Sequence, residues 1–174
     1  EWKAQGHRWV FTNGCFDLLH PGHLQVLSEA AAQGDRLVVA LNDDASVRGL
    51  KGPQRPVQDE NARAALLSAL VWVDAVVLFG QEDPGDLIRL LVPDVLVKGG
   101  DYTVQTVVGA DTVLKAGGRV HLVSLLEGHS TTSLTHRFQK KLEKNTQSFL
   151  EMNETCLRYF FCHVVSNYHF GRLV

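Results

Sequence analysis

The sequence predicts an α/β fold in three layers, α/β/α, with a five-stranded parallel sheet between two layers of helices. Short apolar runs alternate with segments of helical periodicity through residues 1–137. The strand-like runs are apolar along their whole length, which is typical of strands buried on both faces. Repeated strand–helix units of this kind build a parallel sheet that helices cover on both sides.

The pattern predicts five strands and five helices in alternation. The predicted strands are Trp9–Thr12, Arg36–Leu41, Ala75–Phe79, Asp94–Val97 and Arg119–Val123. The predicted helices are Gly22–Gln33, Asp59–Leu70, Pro84–Leu91, Thr106–Lys115 and one that Ser130 opens. Asp59 is a candidate N-cap because its carboxylate can accept an unpaired helical N–H. Pro84 suits a first helical turn, where a missing N–H costs no hydrogen bond.

Polar, glycine-containing segments follow four of the predicted strands. They are residues 13–23, 42–56, 98–102 and 126–132. In open parallel sheets, ligands bind beyond the carboxyl ends of the strands, at the point where the strand order reverses. We therefore expect these four segments to form one site, and we read Gly49–Pro56 within them as a basic loop.

Charge and cysteine content exclude several classes of function. The chain carries 17 Lys and Arg against 19 Asp and Glu, which argues against binding nucleic acid or a membrane through bulk positive charge. A small anionic ligand needs only a few local cations and stays open. Cys15, Cys156 and Cys162 lack metal-ligand spacing and suit a reducing compartment. No apolar run is long enough to span a bilayer.

The two ends of the chain differ in character. It begins at Glu1 and has Met152 as its only methionine, so we expect a piece of a longer polypeptide. Residues 1–137 hold every alanine and 14 of the 15 glycines. We predict one domain over residues 1–137, followed over 138–174 by a helix and a divergent tail that docks on a partner. A non-native segment from a cloning or reading-frame event explains the composition equally well.

The stretch TNGCFDLLHPGH, Thr12–His23, carries the strongest functional pattern. His20 and His23 flank Pro21 and Gly22 where a strand passes into a helix. Free N–H groups at a helix start attract anions, and nearby imidazoles can donate hydrogen bonds to phosphate oxygens. Taken alone, the pair is more typical of surface or capping histidines. A zinc site is disfavoured because no third Cys or His lies nearby at ligand spacing.

This stretch resembles the signature of the cytidylyltransferase-like nucleotidyltransferases, which have a Rossmann-like fold. In that superfamily a Gly-x-Phe-Asp segment leads into His-x-Gly-His, and the matching residues are Gly14, Phe16, Asp17, His20, Gly22 and His23. A second signature, Ser-Thr/Ser-Thr at a helix start, matches Ser130-Thr131-Thr132. The resemblance implies that the histidines stabilise a phosphate during transfer and that the hydroxyls hold the β- and γ-phosphates.

Two further strings resemble the heptose 1-phosphate adenylyltransferase branch of the superfamily. They are VKGGDY, Val97–Tyr102, and VGAD, Val108–Asp111. Leu125 stands where the cytidylyltransferase branch usually has arginine, which disfavours that branch. The resemblance implies the conversion of D-glycero-D-manno-heptose 1-phosphate and ATP to ADP-heptose and pyrophosphate, for the lipopolysaccharide core in the bacterial cytoplasm. It also implies Mg²⁺ carried by ATP with no protein-built metal site. A fused sugar-kinase domain and a homo-oligomer are compatible with it.

The predicted site combines the resemblance with the chemistry of the residues. The basic loop is interpreted as a mobile cationic flap, because lysine and arginine stabilise the charge that builds up during phosphoryl transfer. Asp17 is assigned a structural role, and Cys15 is read as a small packed residue and not a nucleophile. The predicted catalytic residues are His20, His23 and Lys51. The predicted nucleotide-binding residues are Asn13, Gly14, Cys15, Phe16, Gly22, Arg55, Lys98, Gly100, Asp101, Ser130, Thr131 and Thr132.

Two other functions stay open from the sequence. One is a nucleotidyltransferase of the same fold that uses CTP or a different acceptor phosphate. The other is a non-catalytic nucleotide-binding module, which the intact set of histidines, lysine and hydroxyls disfavours. A nucleotide competition test decides whether the first applies.

Overall fold

The computed structural model describes residues 2–124, 126 and 128–160. The chain divides into two compact units, Glu1–Thr131 and Thr132–Val174. The first unit carries the sheet and its helices, and the second carries most of one long helix. No helix within the described ranges is both long and apolar enough to cross a membrane.

The first unit is built on a five-stranded, all-parallel sheet, as the sequence predicts. The strands are β1 (Trp9–Gly14), β2 (Arg36–Asn42), β3 (Ala75–Phe79), β4 (Val95–Gly99) and β5 (Arg119–Val123). Their order across the sheet is β3-β2-β1-β4-β5. The chain moves outward to one side from β1 and then returns to its other side at β4. The carboxyl ends of β1 and β4 therefore flank the switch point where such sheets bind ligands.

Helices cover both faces of the sheet. They are α1 (Pro21–Ala31), α2 (Asp44–Lys51), α3 (Glu60–Ser68), α4 (Gly85–Leu91) and α5 (Ala110–Lys115). One apolar cluster joins Leu27 of α1 and Leu67 of α3 to Val10 of β1. A second joins Ile88 of α4 to Phe11, the neighbouring residue of β1. Because successive strand side chains point to opposite faces, this alternation establishes the three layers.

Helix starts follow the capping chemistry expected of them. The carboxylate of Asp59 accepts the N–H of Ala62 at 2.8 Å, which confirms it as the N-cap of α3. Asp43 caps α2 in the same way and accepts the N–H of Ser46 at 2.7 Å. Each such cap stabilises its helix by about 1 kcal/mol. Pro84 is the residue that precedes α4, close to its predicted position.

The predicted loop Gly49–Pro56 is wrong over its first part. Helix α2 continues through Gly49 to Lys51 and ends only where Gly52 turns to a φ of +93°. The Asp43 cap and the contacts of the buried Val47 outweigh the low helix propensity of one glycine. Lys51 therefore stands on the last turn of a helix.

Two other predicted elements differ in the structure. Lys98 and Gly99 belong to β4, although the sequence placed them in a loop. The predicted helix Thr106–Lys115 is a short 3-10 turn, Val104–Thr106, followed by α5. The break between them is at Gly109, whose φ of +83° is incompatible with a continuous helix. A Cβ at this glycine would lie 2.7 Å from the side chain of Ile88.

The last helix, α6, spans Thr131–Phe160. It begins one residue after Ser130, the predicted start. Within the second unit the hydroxyls of Thr135 and Thr146 bond back to the carbonyls of Thr132 at 3.0 Å and Leu142 at 2.9 Å. The predicted tail beyond this helix lies outside the described residues. The division predicted at residue 137 stays a prediction.

Candidate active site

The turn between β1 and α1 places the predicted histidines at the switch point. After β1 ends at Gly14, Phe16 and Leu18 adopt left-handed conformations with φ of +44° and +50°. Non-glycine residues in that region cost about 1–3 kcal/mol each and persist where surrounding contacts hold them, commonly at functional sites. The structure therefore holds this turn in a conformation that the local sequence disfavours.

Asp17 fixes the turn from within. Its buried carboxylate accepts the Nε–H of Arg55 at 2.6 Å and the N–H groups of Val57 and Gln58 at 2.9 and 3.1 Å. Its carbonyl accepts the hydroxyl of Thr131 at 2.7 Å. Burial by itself raises the pKa of the carboxyl, but the two backbone N–H groups and Arg55 outweigh it and lower the pKa. Asp17 thus has a structural role, and its carboxylate bonds to the next loop.

The imidazole rings of His20 and His23 stack on one another. Their centroids are 3.7 Å apart and their planes differ by 22°. Nδ1 of His20 accepts the backbone N–H of His23 at 3.4 Å, so His20 is the N-cap of α1. An accepting Nδ1 leaves the ring proton on Nε2 in the neutral form. Nδ1 of His23 is buried and has no hydrogen-bond partner among the described residues.

Both imidazoles are held in the neutral form at physiological pH. Burial, reinforced by the neighbouring His20, lowers the pKa of His23 to about 4 despite the opposing effect of Asp17. Burial and the nearby His129 also lower the pKa of His20. A neutral imidazole can still donate one N–H to a phosphate oxygen. A bound polyanion would favour protonation of both rings.

Gly22 allows close packing at the start of α1. A Cβ on this glycine would lie 3.1 Å from the ring of His20 and 3.3 Å from the carbonyl oxygen of His129. His129, in the segment before α6, was not predicted as a site residue. The only signal for it in the sequence is its position beside Ser130, which is too common a pattern to identify it.

On the β4 side of the switch point, Lys98 and Asn13 meet. Nζ of Lys98 lies 3.1 Å from Oδ1 and 3.4 Å from the carbonyl oxygen of Asn13. It also lies 5.5 Å from the centroid of the Tyr102 ring. Burial lowers the pKa of Lys98, with Cys15 opposing and Lys51 reinforcing that shift.

Cys15 lies among cations but remains a thiol. Burial raises its pKa, and this outweighs the opposite effects of Lys51, Arg63, Arg55 and Lys98. A thiol held protonated is a poor nucleophile. The interaction nevertheless shows that these four cations lie within electrostatic reach of one point beyond β1.

The cationic loop is anchored at one position. Lys51 is exposed at the end of α2. Arg55, in contrast, is bonded to the buried carboxylate of Asp17. The bond opposes movement of Arg55, because releasing it would leave a buried carboxylate without its cation, and the mobile flap stays a prediction.

Arg63 is the main residue that the sequence did not reveal. Its guanidinium is fully buried and donates to the carbonyls of Cys15 at 2.7 Å, Asn42 at 2.8 Å and Gln58 at 3.0 Å. It also pairs with Asp44 at 2.7 Å. Arg63 thereby joins the segments that follow β1, β2 and α2. An arginine in an alanine-rich helix gives no sequence signal for such a role.

The remaining predicted residues are placed as follows. Gly100 follows β4 with a φ of +132° and donates its N–H to the carbonyl of Val123 at 3.1 Å. Asp101 is exposed. Ser130 and Thr131 belong to the first unit and Thr132 to the second. The structure thus brings the β1–α1 turn, Lys98, Lys51 and Arg55 to one end of the sheet.

The described residues offer no protein-built metal site. No group of three or more His, Cys, Asp or Glu side chains in the described ranges could hold a metal ion. Asp17, the buried carboxylate at this end of the sheet, already accepts three hydrogen bonds. These residues do not fit a resident Mg²⁺, so we treat any Mg²⁺ as part of the nucleotide substrate.

The fold and this site define a nucleotidyltransferase-type domain. Residues 11–150 match the family described as Cytidylyltransferase-like, and the chain belongs to this family. The chain is 64% identical over 133 residues to the bifunctional protein HldE of Azorhizobium caulinodans, covering 76% of this chain and 28% of that protein. It is 61% identical over 137 residues to the bifunctional protein HldE of Rhodospirillum rubrum, covering 79% and 28%. The chain thus spans 28% of the length of these relatives.

Two solved structures are similar to this chain. The lipopolysaccharide core biosynthesis protein from Thermoplasma volcanium is similar with a TM-score of 0.57 and 31% identity, covering 71% of this chain and 100% of that chain. TmcAL of Thermotoga maritima, solved with alpha-thio ATP, has a TM-score of 0.55 at 16% identity, covering 80% and 52%. The second likeness supports the fold alone.

Proposed function

We propose that this domain transfers the adenylyl group of ATP to the phosphate of D-glycero-D-manno-heptose 1-phosphate. The products are ADP-heptose and pyrophosphate. The observation that carries the proposal is the stacked His20–His23 pair at the start of α1, with the half-buried Lys98 at the end of β4. The VKGGDY string and the similarity to bifunctional HldE proteins support the choice of ATP and heptose.

In the proposed reaction a phosphate oxygen of the acceptor attacks the α-phosphorus of ATP. The bond from that phosphorus to the β-phosphate bridging oxygen breaks, and pyrophosphate leaves with that electron pair. The acceptor phosphate is already an anion near pH 7, so the attack requires no general base. This agrees with the position of Asp17, whose carboxylate is occupied by Arg55 and two N–H groups.

The protein's contribution in this proposal is positioning and electrostatics. His20 and His23 donate N–H groups to the transferring and leaving phosphates at the start of α1, where helix N–H groups also favour anions. Lys51 adds a positive charge from the end of α2, and Arg55 adds a second that Asp17 holds in place. Ser130, Thr131 and Thr132 are proposed to hold the leaving end of the triphosphate. The other predicted nucleotide contacts, including Asp101, remain part of this proposal.

A turnover assay tests the proposal directly. Pyrophosphate release is measured with heptose 1-phosphate and Mg²⁺, with ATP or CTP at equal concentration. We expect strong release with ATP and little with CTP. Release with CTP alone would assign the domain to a different branch, and no release with either nucleotide in a folded sample that binds ATP would contradict the proposed acceptor.

We further propose that the domain acts next to a sugar kinase in the cytoplasm of a bacterium, supplying the lipopolysaccharide core. The chain covers only 28% of proteins that are called bifunctional, which is consistent with a second domain elsewhere in the native polypeptide. We also propose that residues 1–137 suffice for activity. Truncation after Arg137 should preserve turnover, and a change in the oligomeric mass on truncation would show that residues 138–174 mediate self-association.

A further inference from the structure

Lys98 is a half-buried cation whose hydrogen-bond and ring partners are neutral. Its ammonium is bonded to the two oxygens of Asn13 and faces the ring of Tyr102. Among the described residues no carboxylate forms an ion pair with it. Removing part of a charge from water without a counter-ion costs free energy, and here burial lowers the pKa of Lys98. An anionic ligand that binds at this position would supply the counter-ion.

The location of Lys98 separates it from the histidine pair. Lys98 lies on β4 and Asn13 on β1, at the carboxyl ends of the two strands that flank the reversal of strand order. His20 and His23 lie at the start of α1, with the ring of Phe16 5.2 Å from that of His23. Lys98 and the histidine pair thus lie on different elements, β4 and α1, so they can contact different phosphates in a reaction between two phosphorylated substrates.

The surroundings of Lys98 suit a phosphate attached to a polar ring. Tyr102 is 43% exposed, so part of its ring remains open beside the ammonium. Gly100 permits this arrangement, because a Cβ there would lie 3.0 Å from the Tyr102 ring and its φ of +132° favours glycine. An aromatic face beside a cation can contact the C–H face of a sugar while the cation binds its phosphate.

We propose that Lys98, positioned by Asn13, binds the phosphate of the acceptor and that Tyr102 packs against the acceptor's sugar ring. This inference rests on the proposed function and adds which residues select the second substrate. It departs from the expectation that Lys98 contacts the nucleotide. One charge-assisted hydrogen bond to the acceptor phosphate leaves its other oxygens available for attack on the α-phosphorus.

The first test separates the two substrates. In Lys98→Met the KM for heptose 1-phosphate at saturating ATP should rise about 10–100-fold, as expected for a lost hydrogen bond to a charged group. The Kd for ATP, measured by calorimetry, should stay within about twofold. Lys115→Met, which removes an exposed lysine from α5, is the matched control and should change neither. A weaker ATP affinity with an unchanged acceptor KM would overturn the inference.

A second test uses the charge of Lys98. Because burial lowers the pKa of Lys98, its ammonium should lose a proton at a pH below about 10.4, the usual pKa of lysine. The wild-type KM for the acceptor should therefore rise at alkaline pH below that value. The other titratable groups that face Lys98 are the thiol of Cys15, the ammonium of Lys51 and the hydroxyl of Tyr102. Lys98→Arg keeps its charge and should abolish the rise, whereas Cys15→Ser should retain it. An identical rise in Lys98→Arg would contradict the inference.

Two further measurements apply if Lys98→Met does not fold or if the wild type is inactive. If Lys98→Met does not fold, Tyr102→Leu on the surface should raise the acceptor KM several-fold without changing ATP affinity, and an unchanged KM would count against it. If the wild type releases no pyrophosphate, the proposed function fails, and the inference is judged by calorimetric binding of glucose 1-phosphate as a probe. Binding by the wild type that Lys98→Met loses would support it, and equal or absent binding in both would overturn it.

Discussion

The two sides of the switch point are held in different ways. The β1–α1 turn is fixed from several directions, by Arg63 on the carbonyl of Cys15 and by Asp17 bonded to the loop 55–58 and to Thr131. Within the described ranges, the backbone of residues 100–102 after β4 makes two hydrogen bonds, from Gly100 to Val123 and from Tyr102 to Gly100, and its Asp101 is exposed.

The difference indicates that the two sides have different roles. Preorganised donors are most effective where charge develops during the reaction, because they need no reorganisation at that moment. The turn around His20 and His23 meets this requirement and bears the strain of Phe16 and Leu18. In the proposed reaction, the loop after β4 adapts to the acceptor. Changes to the first side should therefore affect stability and kcat, and changes to the second should affect acceptor KM.

Replacing Arg63 should have the largest effect. Arg63→Met leaves three carbonyls and the carboxylate of Asp44 without their buried cation. We expect a loss of about 3–5 kcal/mol in the free energy of unfolding, measured by urea denaturation. Arg89→Met, which removes an exposed pair with Asp86, should change it by less than about 0.5 kcal/mol. Equal effects of the two variants would show that the turn is not held by Arg63.

Replacing His23 should remove most of the turnover. His23→Ala should lower kcat about 10²–10³-fold, which is typical of losing one preorganised donor to a developing charge. The fold should be intact by circular dichroism. His7→Ala is the control, because His7 precedes β1 and so lies at the amino ends of the strands, away from the site at their carboxyl ends. Normal turnover in His23→Ala would contradict the proposed mechanism.

Replacing Asp17 should weaken the tether between the turn and the loop 55–58. In Asp17→Asn an amide NH₂ group faces N–H donors, so we expect a loss of about 1–3 kcal/mol at pH 7. The pKa of Asp17 is lowered in the folded protein. The carboxylate therefore contributes fully to the free energy of unfolding above its unfolded pKa of about 3.9, and this contribution is lost as pH falls through the folded pKa. The urea midpoint should therefore fall less between pH 5 and pH 3 in Asp17→Asn than in the wild type. Parallel decreases would rule out this role.

The ionisation of His23 should report the arrival of phosphate. The pKa of His23 in the folded protein is about 4, below the usual value of about 6.5 for histidine. The unfolded chain therefore binds a proton more readily, and the free energy of unfolding falls as pH decreases from about 6.5 to about 4. An NMR titration of the His23 ring should give a pKa near 4 in the free protein and a higher one with pyrophosphate bound. The NMR signals of His7, observed in the same spectra, should not change when pyrophosphate is added. An unchanged His23 pKa with bound pyrophosphate would place the anion elsewhere.

The smallest effect on stability is expected on the β4 side. Tyr102→Leu should change the free energy of unfolding by less than about 0.5 kcal/mol, because the side chain is 43% exposed and its loop carries few hydrogen bonds. The measurement is the same urea denaturation used for Arg63→Met. A loss comparable with that of Arg63→Met would remove the contrast between the two sides.

The sequence by itself determined the layered parallel sheet and the edge at which the site lies. Apolar runs such as Arg36–Leu41 identify strands buried on both faces, and the helical periodicity between them fixes the connections. These signals are local, so they survive in one sequence. The motif around His20 and His23 indicated the family for the same reason, because it is local and spans only a short segment.

The tertiary structure alone decided how the site is held together. Two contacts of the site join residues that are far apart in the chain, Arg63 with Cys15 and Lys98 with Asn13. These residues meet only because β1, β2 and β4 are neighbours in the sheet. The stacking and lowered pKa values of the two histidines likewise depend on burial, which no spacing of residues specifies. Even the end of α2 at Lys51 follows from the Asp43 cap and packing, against the local propensity of Gly49.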